Sequence, residues 1–268
     1  MTTTELIKVL EDEDLTFLTG VPCSYLENLL LCVNDTPSPL QHILACSEGE
    51  AVGIAAGYHL ASQKVPIVYL QNSGLGNAVN PLTSLMDEEV YSIPAILFLS
   101  WRGEPGKPDE PQHKKMGHIM LDLLNDMGIP YEFASSDIHE TAATIGNLKQ
   151  QAVTKQRPVA IIFRPNLIDK PEKIAQNTHR NYMKREEILS VLLPKIGASP
   201  IVSTTGKTSR ELFELREQRK QSHKYDFLTV GSMGCASGIG LGIAETITKQ
   251  VFVIDGDGAA LMKMGTLA

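Results

Sequence analysis

Short apolar runs alternate along the chain with longer segments in which apolar residues recur every three or four positions. The short runs, bounded by glycine, proline and polar residues, are typical of buried strands, and the periodic segments are typical of helices. The pattern first predicts strands at 15–19, 41–46, 65–71, 93–100, 131–133 and 158–164. It predicts helices at 4–13, 24–32, 48–62, 113–127 and 138–154, and another that follows Asn77 and ends near Asp87. Alternating strands and helices predict an α/β fold, with a doubly wound parallel sheet over residues 1–164.

The same pattern resumes after a polar stretch without clear periodicity, residues 165–181. Helices are predicted at 185–193, 209–220 and 237–248, and strands at 200–204 and 251–254. We therefore expect a linker at 165–184 and a second doubly wound parallel-sheet unit at 185–268. Two strands do not complete a sheet, and a helical segment after Gly258 is interrupted at Ala268, so we expect this second unit to be truncated.

The composition is that of an ordinary globular protein, with 43% hydrophobic and 21% charged residues and a formal net charge of −7. A negative charge argues against a nucleic-acid or anionic-membrane partner. No apolar run has the length of a membrane span, and the acidic N-terminal segment does not resemble a secretory or transit signal. The four cysteines lack metal-site spacing. We therefore expect a cytoplasmic protein with reduced thiols.

An acidic, glycine-rich motif follows the last predicted strand. Residues 255–258 read Asp-Gly-Asp-Gly at the tip of the strand at 251–254. A carboxylate at such a tip can hold a hard cation that also contacts a phosphate, and glycines let a bulky anion approach the backbone. We therefore expect Asp257 to be a metal ligand, flanked by Gly256 and Gly258 in an anion site.

Polar residues also follow two strands of the first unit. Glu48 begins the small-residue helix at 48–62 directly after a strand, so we expect its side chain at the carboxyl edge of the sheet, where ligands bind in such folds. The alternative is that Glu48 stabilises the helix dipole and does nothing more. Arg102 and His113 lie in or just after a charged loop, which either contacts an anionic substrate or is simply solvated.

Two segments resemble nucleotide-binding motifs in part. Residues 203–208 end like a P-loop, but that motif requires glycine at position 201, which is Ile201. The glycines within 231–242 precede a strand, whereas a dinucleotide fingerprint follows one. A strand-to-helix turn and close helix packing account for these segments. A nucleotide-binding oxidoreductase is kept as an alternative.

Three motifs together resemble those of the thiamine diphosphate (ThDP)-dependent 2-oxo acid decarboxylases. Residues 47–58, in which Glu48 stands nine positions before Gly57, resemble the glutamate-bearing helix of that family. Residues 231–234 resemble its cofactor-bending segment and residues 256–258 its Mg-diphosphate motif, in the family's order of a Pyr-type half followed by a PP-type half. Within the family, residues 71–81, 101–106 and 109–113 resemble phosphonopyruvate decarboxylases, and sulfopyruvate decarboxylases share the first of these segments.

This resemblance implies a Pyr-type ThDP-binding domain at 1–164 and the N-terminal part of a PP-type domain at 185–268. It implies that Glu48 hydrogen-bonds the pyrimidine ring of ThDP, that Met233 presses the cofactor into its bent form, and that Asp257 binds Mg²⁺. The other implied cofactor contacts are Gly231, Ser232, Gly256 and Gly258.

The implied reaction converts a small anionic 2-oxo acid, phosphonopyruvate, into phosphonoacetaldehyde and CO₂, with a sulfopyruvate decarboxylase as the alternative. His113 and Asn72 are expected to handle protons and orient the substrate. Arg102 is expected to bind the phosphonate, because a guanidinium suits that group. The resemblance also implies a homo-oligomer, a dimer or larger, whose active sites are shared between subunits.

The sequence departs from the family in two places. Pyruvate decarboxylases carry an Asp after a Gly-x-Pro-Gly turn, where this chain has Cys23 and Ser24, so that acid/base role is not carried over. The family's metal-ligating Asn lies farther beyond the Gly-Asp-Gly motif than Ala268 does. We therefore expect the chain as given to bind Mg-ThDP poorly, and a truncated, non-catalytic or regulatory family member is a further alternative.

Overall fold

A computed structural model describes residues 1–35, 38, 40–170 and 182–268 of the protein. The chain divides into two units, Met1–Gln176 and Asn177–Ala268. Residues 171–181 of the predicted linker lie outside the described residues. The linker at 165–184 therefore stays a prediction.

Six parallel strands form the sheet of the first unit, in the order β2-β1-β3-β4-β6-β5. They are β1 (Phe17–Gly20), β2 (Gln41–Leu44), β3 (Ile67–Gln71), β4 (Ile96–Ser100), β5 (Tyr131–Phe133) and β6 (Val159–Phe163). Every residue of β4 and β6 and all but the last of β3 are buried, as expected for parallel strands that helices cover on both faces. The predicted doubly wound parallel sheet is confirmed.

Within the described residues, six helices cover this sheet: α1 (Thr3–Asp12), α2 (Glu27–Asp35), α3 (Glu48–Ser62), α4 (Leu75–Pro81), α5 (Pro111–Asp126) and α6 (Ile138–Lys155). Leucines of α1, α2 and α6 belong to one buried apolar cluster, and apolar residues of α3, α4 and α5 belong to a second. Each cluster includes side chains from the central strands, so the two helix layers bury opposite faces of the sheet.

Two helix predictions in this unit need correction. Helix α5 begins at Pro111 and not at His113, because proline is well suited to the first position of a helix. The helix predicted from after Asn77 to near Asp87 begins earlier, as α4, and continues beyond Pro81 as a π-helical turn at Leu82–Met86; a 3₁₀ turn at Asn72–Gly74 precedes it. Pro81 ends α4, since it cannot donate the next helical hydrogen bond.

The second unit has a smaller parallel sheet in the order β8-β7-β9. Its elements are α7 (Arg185–Ile196), β7 (Ile201–Ser203), α8 (Lys207–Gln218), β8 (Asp226–Leu228), α9 (Ala236–Ala244), β9 (Phe252–Ile254) and α10 (Asp257–Met262), with a 3₁₀ turn at Met264–Leu267. Strand β8 is not among the strands that the sequence pattern predicts. Helix α9 ends at Ala244, earlier than predicted. None of the helices in the described ranges is long and apolar enough to cross a membrane.

Candidate functional site

The carboxyl ends of β1, β3 and β4 meet at one edge of the first sheet. The chain passes from β1 to β2 on one side and continues with β3 on the other, so the strand order reverses between β1 and β3. Ligands of open α/β sheets bind outside the carboxyl ends of strands at such a reversal. Polar residues of the first unit that lie at this edge are therefore placed to contact a ligand.

Glu48 is the first residue of α3, where Ser47 caps the helix and accepts a hydrogen bond from the backbone N–H of Glu50 at 3.4 Å. Its side chain is buried, with 6% of the residue exposed. The amide Nδ2 of Asn77 donates a hydrogen bond to Glu48 Oε2 at 2.9 Å. A Cβ at Gly74 would lie 2.6 Å from Cδ of Glu48, so this space exists because residue 74 has no side chain. Glu48 is thus a buried carboxylate held between α3 and the turn that precedes α4.

Asn72 joins the ends of β3 and β4. Its side chain is fully buried; Nδ2 donates to the carbonyl oxygen of Arg102 at 2.8 Å, and Oδ1 accepts from the backbone N–H of Arg102 at 3.0 Å. These two bonds extend the hydrogen-bonded pairing of the neighbouring strands β3 and β4 by one more position. Asn72 therefore fixes the first residues of the loop that follows β4.

The side chain of Arg102 pairs with Asp109 in the same loop. Nε and Nη2 donate to the two carboxylate oxygens at 2.9 and 2.6 Å. The same carboxylate accepts backbone N–H bonds from Gly103 and Glu110, each at 2.7 Å. The Arg102 guanidinium and these N–H donors hold the pKa of Asp109 well below its usual range. Two of the three guanidinium nitrogens of Arg102 thus bind a carboxylate, and its expected role in binding the phosphonate stays a prediction.

The third nitrogen of Arg102 faces the turn after β1. Nη1 lies 3.5 Å from the hydroxyl oxygen of Ser24, and the guanidinium carbon lies 5.4 Å from the centre of the Tyr25 ring. A guanidinium at that distance from an aromatic face gains cation–π attraction. The loops after β1 and β4 therefore meet at Arg102.

His113 lies in the first turn of α5 and approaches the end of β3. Its Nδ1 is 3.4 Å from Nε2 of Gln71. Burial, and then the positive charge of Arg102, lower the pKa of His113, which favours the neutral ring. Helix α5 is fixed against the loop after β4: Trp101 Nε1 donates to the carbonyl oxygen of Gly117 at 2.8 Å.

The short segment 71–74 links all four site residues predicted in the first unit. Gln71 contacts His113, Asn72 binds Arg102, and Gly74 packs against Glu48. Sequence reasoning missed three supporting residues, Asn77, Asp109 and Gln71. All three lie in segments that resembled the decarboxylases, but nothing in the spacing showed which side chain each would bind.

The predicted residues of the second unit form their own group. Met233 belongs to the segment 231–234, in which Ser232 and Gly234 have φ values of +53° and +88°. Its Cε lies 3.1 Å from the position that a Cβ on Gly258 would occupy, so the segments 231–234 and 256–258 are adjacent. Asp257 is exposed at the start of α10 and its Oδ1 accepts from the backbone N–H of Gly258 at 2.9 Å. Within the described ranges no three His, Cys, Asp or Glu residues are grouped as a metal site.

Comparison with known proteins identifies the family. Residues 1–122 match the family described as "Thiamine pyrophosphate enzyme, N-terminal TPP binding domain". The phosphonopyruvate decarboxylase of Streptomyces viridochromogenes is 34% identical over 282 aligned residues, which cover 98% of this chain and 68% of that protein. The chain thus spans about two thirds of the length of this relative.

The two subunits of another relative each match only a portion of this chain. The alpha subunit of the sulfopyruvate decarboxylase of Methanococcus maripaludis is 33% identical over 58% of this chain and 90% of the subunit. The beta subunit is 38% identical over 32% of this chain and 44% of the subunit. Among solved structures, the 4-hydroxybenzoylformate decarboxylase of Rhodococcus jostii RHA1 has a TM-score of 0.49 and 18% identity, covering 94% of this chain and 44% of that one. On the sequence matches, this chain belongs to the thiamine diphosphate-dependent 2-oxo acid decarboxylase family.

Proposed function

We propose that the protein decarboxylates phosphonopyruvate to phosphonoacetaldehyde and CO₂ with ThDP and Mg²⁺. The observation that carries this proposal is the buried carboxylate of Glu48, held by Asn77 at the edge of the sheet where the strand order reverses. The 34% identity to a phosphonopyruvate decarboxylase over nearly the whole chain supports the choice of substrate.

The residues present fit the cofactor. A buried carboxylate such as Glu48 can hydrogen-bond a ring nitrogen. The adjacent Gly74, which has no side chain, leaves room for this carboxylate. In the second unit, Met233 offers an apolar side chain beside Gly258, which suits a bulky, bent ligand, and the exposed Asp257 offers one hard oxygen ligand to Mg²⁺. Gly231, Ser232 and Gly256 complete the proposed cofactor contacts. Bound ThDP supplies an electron sink for the pair left behind when CO₂ departs.

The remaining proposed roles concern the substrate. The lowered pKa of His113 favours the neutral imidazole, which can accept a proton and then return it. Arg102 binds the charged end of the substrate, and Asn72 holds the backbone from which Arg102 projects. Proton transfer is thus assigned to His113, and positioning to Asn72.

The proposal is tested with Glu48→Gln in the full-length protein. This change keeps the shape of the side chain but removes its proton-transfer ability, so we expect decarboxylation to fall by about 10²-fold or more. Glu50→Gln is the matched control: it makes the same change two positions away, at an exposed residue that accepts from the backbone of Cys46. Wild-type turnover in Glu48→Gln contradicts the assignment. A wild-type protein that binds ThDP but releases no CO₂ identifies a non-catalytic family member, and titration with a nicotinamide cofactor tests the oxidoreductase alternative.

Sulfopyruvate is the second candidate substrate, because both subunits of a sulfopyruvate decarboxylase match this chain. Both compounds are 2-oxo acids that end in a tetrahedral anionic group. Measuring kcat/KM for each with the same preparation separates them, and we expect the higher value for phosphonopyruvate.

We also propose that the active form is a homo-oligomer whose sites combine Glu48 of one chain with Asp257 of another. The matches to separate alpha and beta subunits support this, because that relative is made of two polypeptides that each match a portion of this chain. Mixing inactive Glu48→Gln and Asp257→Ala proteins should restore part of the activity through hybrid sites. If the subunits exchange and no activity returns, sites are not shared.

A further inference from the structure

We infer that Asp109 is a positioning residue: it turns the third guanidinium nitrogen of Arg102 toward Ser24, so that this nitrogen and the Ser24 hydroxyl together bind the tetrahedral anionic end of the substrate. The inference rests on the proposed function and identifies the residues that would select its substrate class. None of the sequence motifs assigns a role to Asp109 or to Ser24.

The first step of the argument is the orientation of the guanidinium. Asp109 binds Nε and Nη2 of Arg102 through both carboxylate oxygens, at 2.9 and 2.6 Å. A paired arrangement of this kind fixes the plane of the guanidinium as well as its distance. The direction of the third nitrogen, Nη1, is therefore determined by Asp109.

The second step is that Asp109 cannot easily follow a movement of Arg102. Its carboxylate also accepts from the backbone N–H groups of Gly103 and Glu110, and 8% of its side chain is exposed. Asn72 holds the Arg102 backbone from the other side. Arg102 is thus fixed at both ends, which preorganises it for a ligand of defined geometry.

The third step is what Nη1 faces. It lies 3.5 Å from the exposed hydroxyl group of Ser24, at the edge of the sheet where the strand order reverses. That distance is longer than an optimal hydrogen bond, so the two donors suit an acceptor placed between them better than they suit each other. A phosphonate or sulfonate has several oxygens that can accept from both groups at once.

The ion pair also makes the inference testable, because the loss of the Asp109 charge and the loss of its orienting role change the affinity for an anion in opposite directions. Asp109 offsets the positive charge of Arg102, so a mechanism based on charge alone predicts that Asp109→Asn binds anions more tightly. If Asp109 acts by orienting Arg102, the same substitution weakens binding, since a single amide oxygen replaces two charged acceptors.

The test measures binding of 3-phosphonopropionate, an analogue without the keto group, by calorimetry on the full-length protein with and without ThDP and Mg²⁺. We expect the dissociation constant to rise by about fivefold in Asp109→Asn and about tenfold in Arg102→Lys and in Ser24→Ala. Asp12→Asn is the control, because it removes the same charge from an exposed ion pair with Lys8, and it should leave binding unchanged. In turnover, the three site variants should lose kcat/KM for phosphonopyruvate and keep it for pyruvate, whereas damage to the loop alone lowers both.

Tighter or unchanged binding in a folded Asp109→Asn protein overturns the inference, as does a wild-type protein that fails to bind the analogue at about 10 mM. If Asp109→Asn does not fold, Arg102→Lys and Ser24→Ala decide the matter, since both leave the carboxylate and its backbone bonds in place; unchanged binding in both refutes the inference. Binding that depends on the three residues in a protein without decarboxylase activity refutes the proposed reaction and supports the anion site.

Discussion

Replacing Gly74 with alanine should displace the carboxylate of Glu48 without unfolding the first unit. A Cβ at this position would lie 2.6 Å from Cδ and 2.7 Å from Cγ of Glu48, against 3.4 Å for ordinary contact. The carboxyl carbon must therefore move by about 0.8 Å, the difference between 3.4 and 2.6 Å. Gly74 itself has φ −79° and ψ −13°, which alanine adopts without strain.

The displacement should affect activity far more than stability. Moving one side chain off its preferred rotamer costs about 0.5–1.5 kcal/mol, and weakening the bond from Asn77 costs about 1 kcal/mol more. Alanine offsets part of this by restricting the unfolded chain, by about 0.4–1 kcal/mol. A shift of about 1 Å in a reacting group, in contrast, lowers turnover by about 10²-fold. We therefore expect Gly74→Ala to lose most of its decarboxylation while its free energy of unfolding falls by no more than about 2 kcal/mol.

The assay is CO₂ release from phosphonopyruvate at saturating ThDP and Mg²⁺, together with urea unfolding of each variant. Gly53→Ala is the matched control: this glycine lies on the same helix as Glu48, and a Cβ there would have no neighbour within 4 Å among the described residues. It should keep its activity and gain about 0.5–1 kcal/mol of stability. If folded Gly74→Ala turns over within about threefold of Gly53→Ala, the position of Glu48 does not control the reaction.

Three further predictions concern the first unit. Gly117→Ala should lower the free energy of unfolding in urea by about 3 kcal/mol, because its Cβ would overlap the backbone carbonyl of Gly103, which cannot move as a flexible side chain would. The pKa of Asp109 is lowered from its usual 3.8 in the folded state, so its ionised form stabilises the fold above pH 3.8, and this contribution is lost as the pH falls toward the folded-state pKa. The difference in free energy of unfolding between wild type and Asp109→Asn should therefore shrink below pH 3.8, as measured by urea titrations. Tyr69→Phe should cost about 1–2 kcal/mol in thermal unfolding, because the buried tyrosine hydroxyl and His42 Nε2 lie 2.7 Å apart and the imidazole nitrogen loses its partner.

The start of α3 shows how much local sequence determines here. Ser47 caps the helix, Glu48 follows at once, and a run of small residues continues to Ser62, so both ends of the helix agree with the prediction. A buried parallel strand is recognised in the same way, since β4 and β6 are continuous apolar runs. The local pattern of strand, cap and small-residue helix is therefore enough to predict that Glu48 lies at the carboxyl edge of the sheet.

Local sequence patterns do not predict the residues that act through long-range contacts. Asn77 lies 29 positions from Glu48 in sequence, and periodicity within α4 does not show that its amide reaches the carboxylate. The bond between Asn72 and the Arg102 backbone spans 30 positions and depends on β3 and β4 being neighbours in the sheet. Asp109 is one of several acidic residues in a charged loop, so composition alone predicts a solvated segment. Strand β8 is not predicted either, and its place in the sheet depends on its pairing with β7.

Glu48 differs from two other acidic residues with buried side chains, each of which pairs with an arginine. Arg216 and Asp226 in the second unit neutralise each other at 2.9 Å, with 7% and 0% of their side chains exposed. Arg102 likewise forms an ion pair with Asp109, at 2.6 Å. Glu48 is buried too, but within the described residues its hydrogen bond comes from the neutral amide of Asn77 and no basic side chain pairs with it. Burying a carboxylate without a counter-charge is costly, and a fold is not stabilised by it. A ligand with a ring nitrogen would supply the missing partner, so the burial of Glu48 supports the proposal that this residue binds the cofactor.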